Sequence, residues 1–161
     1  MTLRPRRRDA VGWRVRCVLL LAISVQGVAA QSLSNVQPLS FGTLAVTGAG
    51  DVSVGTTGLR ITTGGVVPLS QGEAAAPARF VVTGTPQTTF SISLPADPSV
   101  VLSDGAGHSL PIQQWTSNLG SLPVLGANGQ AAFQLGATLK LQGTPAPGRY
   151  SGTFQLTVNY Q

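Results

Sequence analysis

Beyond Cys17 this chain has no cysteine, and its 161 residues include one histidine and five acidic side chains. Each shortage removes a class of chemistry. A lone thiol makes neither an internal disulfide framework nor a cysteine-based zinc site. With His108 as the only imidazole, and no G-x-S-x-G stretch, a serine triad has almost nothing to draw on. His108 sits in the turn DGAGHSL and reads as a solvated loop residue, since one histidine rarely holds a metal unaided. Asp51, Glu73, Asp97 and Asp104 are scattered, so their spacing presents no acid–base pair of the glycosidase kind. DPSVVLSDGAG lacks the dense acidic spacing of a calcium loop, and Asp97-Pro98 and Asp104-Gly105 read as turn dipeptides. The glycine-rich pieces TGAGD and TTGGV lack the lysine and following helix of a phosphate cradle. The expectation is a non-enzymatic protein with no catalytic residues, cofactor or metal.

The net charge of +5 suggests a nucleic-acid or membrane-surface binder until the charges are located. Arg4, Arg6, Arg7, Arg8, Arg14 and Arg16 precede residue 17, whereas Arg60, Arg79, Lys140 and Arg149 are balanced by the four later acids. No nucleic-acid partner is expected. The arginines lead into the apolar run CVLLLAISVQGV and then Val28-Ala29-Ala30, the order of a secretory signal peptide. Residues 1–30 are predicted to be removed between Ala30 and Gln31, by the general secretory route in preference to a twin-arginine one. The run is too short for a permanent span. Residues 31–161 then form a single domain with no membrane insertion, located in the periplasm, at the cell surface or outside the cell.

Those residues carry period-two alternation between Gly and Pro punctuation, the pattern of half-buried strands. Phe90, Ile92 and Leu94 share a face of TTFSISLP. Ala131, Phe133, Leu135, Ala137, Leu139 and Leu141 share a face of QAAFQLGATLKLQ, with Gly136 available for a bend. ARFVVTG, PLSFGTLAV, DVSVG, LRITT and SLPIQQW read as further strands. Asn128-Gly129 suits a tight reversal, and Asp104–Gly107 links VVLS to SLPIQQW. No window after residue 30 has helical periodicity. The predicted fold is all-β, an immunoglobulin-like antiparallel β-sandwich. Its strands carry few of the charges that discourage edge-to-edge pairing, so the edges are either covered or meant to pair.

The C-terminal stretch PGRYSGTFQLTVNYQ alternates most regularly: Tyr150, Phe154, Leu156, Val158 and Tyr160 are apolar, with polar residues between them. It predicts a strand over Tyr150–Tyr160, and period alone leaves open whether that strand is central or at an edge.

PLSFGTLAV, the TTGGV turn, ARFVVTGTPQTTFSISLP, LGANGQAAFQLGATLKL and APGRYSGTFQLTVNYQ, in that order, resemble the bacterial family domain of unknown function 4402 (DUF4402). Its members resemble spore-coat-U-type and chaperone–usher fimbrial subunits, exported β-sandwich proteins. The closing motif is similar to the pilin C-terminus: Tyr160 is penultimate, Phe154, Leu156 and Val158 alternate, and Gly148 is fourteenth from the end. That resemblance implies a pilin-like fold and β-strand addition, with a periplasmic chaperone or neighbouring subunit as partner. The strand-addition candidates are Gly148, Tyr150, Phe154, Leu156, Val158 and Tyr160. Pilins usually have a longer N-terminal donor arm and a disulfide. Here QSLSNVQPLSF is short, with Leu33, Val36, Leu39 and Phe41 out of step, which fits either a terminal subunit or a self-complete domain. The competing reading is an autonomous secreted binding module, with glycans as the candidate ligand class, that uses loop residues such as Trp115 and His108. Trp115 and Tyr160 read more readily as sheet packing than as a sugar platform.

Overall fold

A computed structural model describes residues 30–161. Of the predicted signal segment, residues 1–30, all but Ala30 lie outside the described residues. The described chain is all β, with antiparallel pairing throughout. In chain order the strands are β1 (Ser32–Gln37), β2 (Ser40–Phe41), β3 (Leu44–Val46), β4 (Gly50–Val54), β5 (Arg60–Thr62), β6 (Val66–Pro68) and β7 (Ala75–Ala76). They continue as β8 (Ala78–Thr83), β9 (Phe90–Ser93), β10 (Val100–Ser103), β11 (Ser109–Ser117), β12 (Gln130–Leu141) and β13 (Thr157–Tyr160).

The spine of the sandwich is β12. Along one edge it pairs with β11, which pairs in turn with β10. Along the other edge its first half pairs with β8 and its second half with β4. β1 extends the sheet beyond β8, and β5 extends it beyond β4. Two strands cannot share one edge without diverging, so the sheet curls where β8 hands over to β4. Gly136 sits at that handover, and a Cβ there would stand 2.2 Å from the Val54 carbonyl oxygen. The bend expected at this glycine is thus a close approach of backbones.

The inward row of β12 serves two cores in succession. Phe133 and Leu135 pack with Ala78, Phe80 and Val82 of β8 and with Phe90 and Leu125 from the facing layer. Ala137, Leu139 and Leu141 pack with Val52, Val54, Val100, Ile112, Phe41 and Val66. β9 and β13 cover the first core as a two-stranded sheet, and the short pairs β2–β7 and β3–β6 complete the minor sheets. With no disulfide among these residues, burial of such rows and their ladders hold the fold, at about 1.5–3 kcal/mol per fully buried large apolar side chain.

Local irregularities have identifiable causes. PLSFGTLAV divides into β2 and β3 at Gly42, whose φ is +75°. The Asn128-Gly129 turn forms as expected: Gly129 has φ +71°, and Gly126 N–H donates to the Gln130 carbonyl at 2.9 Å. TGAGD and TTGGV pack against each other, with Thr47 N–H donating to the Gly65 carbonyl at 2.8 Å and Gly65 N–H to that of Ala49 at 2.9 Å. β1 carries a bulge between Asn35 and Gln37, opposite Phe80 and Arg79. Val36 is the extra residue and is 63% exposed, which explains why the apolar residues of QSLSNVQPLSF fall out of step. That segment is not a free arm: Ser32–Gln37 pair along β8, and Ser40–Phe41 pair with β7.

Candidate strand-addition edge

The C-terminal stretch does not form one strand. Ser151 exchanges two hydrogen bonds with Ser103 of β10, at 2.8 and 2.9 Å, whereas Thr157–Tyr160 pair with β9 in the other sheet. Residues 152–156 cross between the layers and belong to no ladder. This corrects the expected Tyr150–Tyr160 strand. A segment that changes sheets must leave one set of hydrogen bonds before it makes the next, and side-chain alternation does not reveal where it does so. Gly152 makes the crossing possible, since a Cβ on it would stand 2.4 Å from the Val101 carbonyl oxygen.

The alternation itself holds through the crossing. Phe154, Leu156, Val158 and Tyr160 are half-buried against the first core, and the intervening residues are exposed. Phe154 touches both cores. Its ring lies 4.7 Å from that of Trp115 and meets Phe80 edge-on at 6.1 Å. The Tyr160 hydroxyl donates to the Thr83 carbonyl at 2.9 Å, with the Ser32 carbonyl at 3.4 Å, tying β13 to the opposite layer. Tyr150 is half-buried and donates to the Ala146 carbonyl at 2.9 Å. Partial desolvation, with the Asp104 carboxylate second, pushes its phenol pKa upward and keeps it a donor. Gly148 needs no special geometry here: the nearest atom to an added Cβ is Asp104 Cβ at 3.9 Å.

β13 is an edge strand. Antiparallel residues alternate between those that exchange bonds with the partner and those whose backbone groups point away. Gln161 N–H donates to the Thr89 carbonyl at 2.9 Å, which sets the phase. Thr157 and Asn159 therefore face β9, whereas Val158 and Tyr160 turn their N–H and C=O groups outward. No backbone partner meets them among the described residues. Sequence reasoning found the apolar row but missed Gly152. Its only signal was a residue with no side chain in an otherwise apolar register.

The residues of the binding-module reading lie elsewhere. β11 bulges between Gln113 and Thr116, where Gln114 has φ +53° and its N–H donates to Asp97 Oδ2 at 2.8 Å. The bulge directs Trp115 onto Phe154, and the Trp115 Nε1 is buried without a hydrogen-bond partner. His108 precedes the other end of β11, roughly 20 Å away at about 3.3 Å per residue, so the two do not share a platform. Among the described residues no group of three or more His, Cys, Asp or Glu could hold a metal ion.

His108 instead closes the β10–β11 turn on Asp104. The carboxylate accepts from the His108 ring and from the N–H groups of Ala106 and His108, at 2.8 and 3.1 Å for the latter two. Partial desolvation acts upward on Asp104, but these bonds and the charge of a protonated His108 together hold its pKa below the usual value. A carboxyl with a lowered folded-state pKa contributes stability above its unfolded pKa, near pH 4, and loses it as pH falls through the folded one. The stability difference between wild type and Asp104→Asn, measured by urea unfolding, should therefore shrink as pH falls from about 5 to below about 4. A pH-independent difference would show that the turn does not use the charge.

A family model described as "Domain of unknown function (DUF4402)" matches residues 32–160. The chain belongs to the DUF4402 family. The match runs from β1 to the end of β13 and takes in both cores and the C-terminal edge. No curated protein and no solved structure matches.

Proposed function

We propose that this DUF4402 protein is an exported, non-enzymatic structural or accessory component of a fimbria-like or cell-surface assembly, and that it acts by β-strand addition at the outer edge of β13. The observation that carries the reading is the outward, unpartnered backbone of Val158 and Tyr160 above a half-buried apolar row. An added strand would satisfy those groups and finish burying Phe154, Leu156 and Val158. Residues 150–161 carry no charge, so none of the usual guards against such pairing stands on this edge. The partner on this reading is a periplasmic chaperone or a neighbouring subunit. The binding-module alternative has less to support it, since Trp115 is occupied by Phe154 and His108 by Asp104.

Amide exchange tests the reading residue by residue. In the isolated chain the amides of Asn159 and Gln161 should be protected and those of Val158 and Tyr160 should exchange freely. In material recovered from its host's surface assembly all four should be protected. Val158→Pro removes an outward N–H, a change edge strands tolerate, and should leave the melting temperature nearly unchanged while abolishing incorporation. Free exchange of Val158 and Tyr160 in the assembled state, or normal incorporation of the proline variant, would sink the idea.

A further inference from the structure

A proline in the middle of a sheet demands a reason, because it cannot donate to the ladder. Pro111 lies in β11, between β10 and β12. It pairs with Val101 on β10, but the β11–β12 ladder begins only at Ile112↔Leu139. The next step would place Pro111 opposite Lys140, and that pair is missing. A shallow groove of about 470 Å³ opens there on the outer face of the sheet. Val101, 45% exposed, and Pro111 give it apolar surface, and Pro98 and Pro145 add rigid walls. Ser109, Gln142 and Thr144 supply neutral polar groups.

Lys140 is the one charged residue of the lining. The other cations beyond residue 30 have protein partners. Arg149 lies 3.7 Å from Glu73, Arg60 donates to the Phe41 carbonyl at 3.2 Å, and Arg79 Nε reaches the Gln134 side-chain oxygen at 3.1 Å with that amide correctly oriented. Lys140 makes no salt bridge or side-chain hydrogen bond among the described residues. Asp51 stands directly opposite it on β4 and on the same outer face, and no ion pair joins the two.

We infer that this groove binds a small amphipathic carboxylate, its apolar body against Val101 and Pro111 and its carboxylate on the Lys140 ammonium. The prolines suit such a ligand because they order without side-chain entropy cost and present no N–H that would be buried unpaired. The site is separate from the β13 edge and stands whether or not strand addition occurs there.

Octanoate, 1-octanol and acetate, titrated into the isotopically labelled chain and followed by amide shifts, test the inference. Octanoate should saturate with a Kd below about 10 mM, with shifts confined to residues 98–101, 109–112 and 140–145. Octanol should bind more weakly by up to about fivefold, the worth of one exposed ion contact of at most about 1 kcal/mol, and acetate should not saturate. Lys140→Gln should remove the octanoate advantage and leave octanol binding as it was. Lack of saturation by octanoate, equal binding of octanol, or an unchanged Lys140→Gln titration would each overturn the assignment.

Discussion

Replacing Phe133 by alanine should lower the unfolding free energy by about 3–5 kcal/mol, the usual cost of emptying a large aromatic site in a core. Phe133 is 1% exposed and stands directly opposite Phe80 across the β8–β12 ladder, with ring centroids 5.4 Å apart. Phe80 in turn meets Phe154, so the alanine would remove the base of an aromatic column that spans the sandwich from the main sheet to the crossing segment. Its surroundings are themselves fixed by ladders on β8 and β9, which limits collapse into the void. Urea unfolding followed by Trp115 fluorescence measures the loss, since Trp115 is the one tryptophan after residue 30. Ala132→Ser, on the exposed side of the same strand, should change stability by no more than about 0.5 kcal/mol. A Phe133→Ala loss below about 1 kcal/mol would mean that the core closes over the site, contrary to the packing described here.

The parts of this fold that sequence reasoning reached are those governed by one periodicity over one element. β12 is the clearest: six residues at every second position predict its inward face, and the structure puts that face against the two cores. The reversals at Asp104–Gly107 and Asn128-Gly129 were equally readable, because turn chemistry is local. What escaped was set by the meeting of distant segments. The gap between Ser151 and Thr157 exists because β10 and β9 lie in different layers, and neither is near in sequence. The broken alternation of QSLSNVQPLSF marks it in sequence only as a short arm out of step, because the bulge at Val36 that accounts for it depends on pairing with the distant β8. Trp115 reads from sequence as sheet packing in preference to a sugar platform, and it does pack on Phe154, but the bulge that aims it there leaves no mark on the residues around it. For the candidate site the division is similar. The row Phe154, Leu156, Val158 and Tyr160 was readable from alternation, but its edge position was not, since that depends on what lies beside β13.

Gly136→Ala should also be damaging, at about 1–3 kcal/mol, although it adds a single methyl group. The added carbon would stand 2.2 Å from the Val54 carbonyl oxygen and 2.8 Å from Thr116 Oγ1. The threonine hydroxyl can turn aside, but the carbonyl belongs to the end of β4 and cannot move alone. Val54 is 1% exposed and pairs with Ala137, so displacing its backbone pulls a buried valine from the second core and loosens the first rung of the β4–β12 ladder. The cost is concentrated at the one point of β12 where two strands share an edge, so damage should spread along β4 and β5 and spare β8. Amide exchange distinguishes these directions: protection should fall at Val52, Val54 and Thr62 and persist at Phe80 and Val82. Gly120→Ala is the matched control, because nothing lies within 4 Å of its added carbon and its stability should change by no more than about 0.5 kcal/mol. If the two variants prove equally stable, the curl of the sheet does not depend on a missing side chain at residue 136. The divergence of β8 from β4 would then have to come from the loops that precede β4 and follow β7.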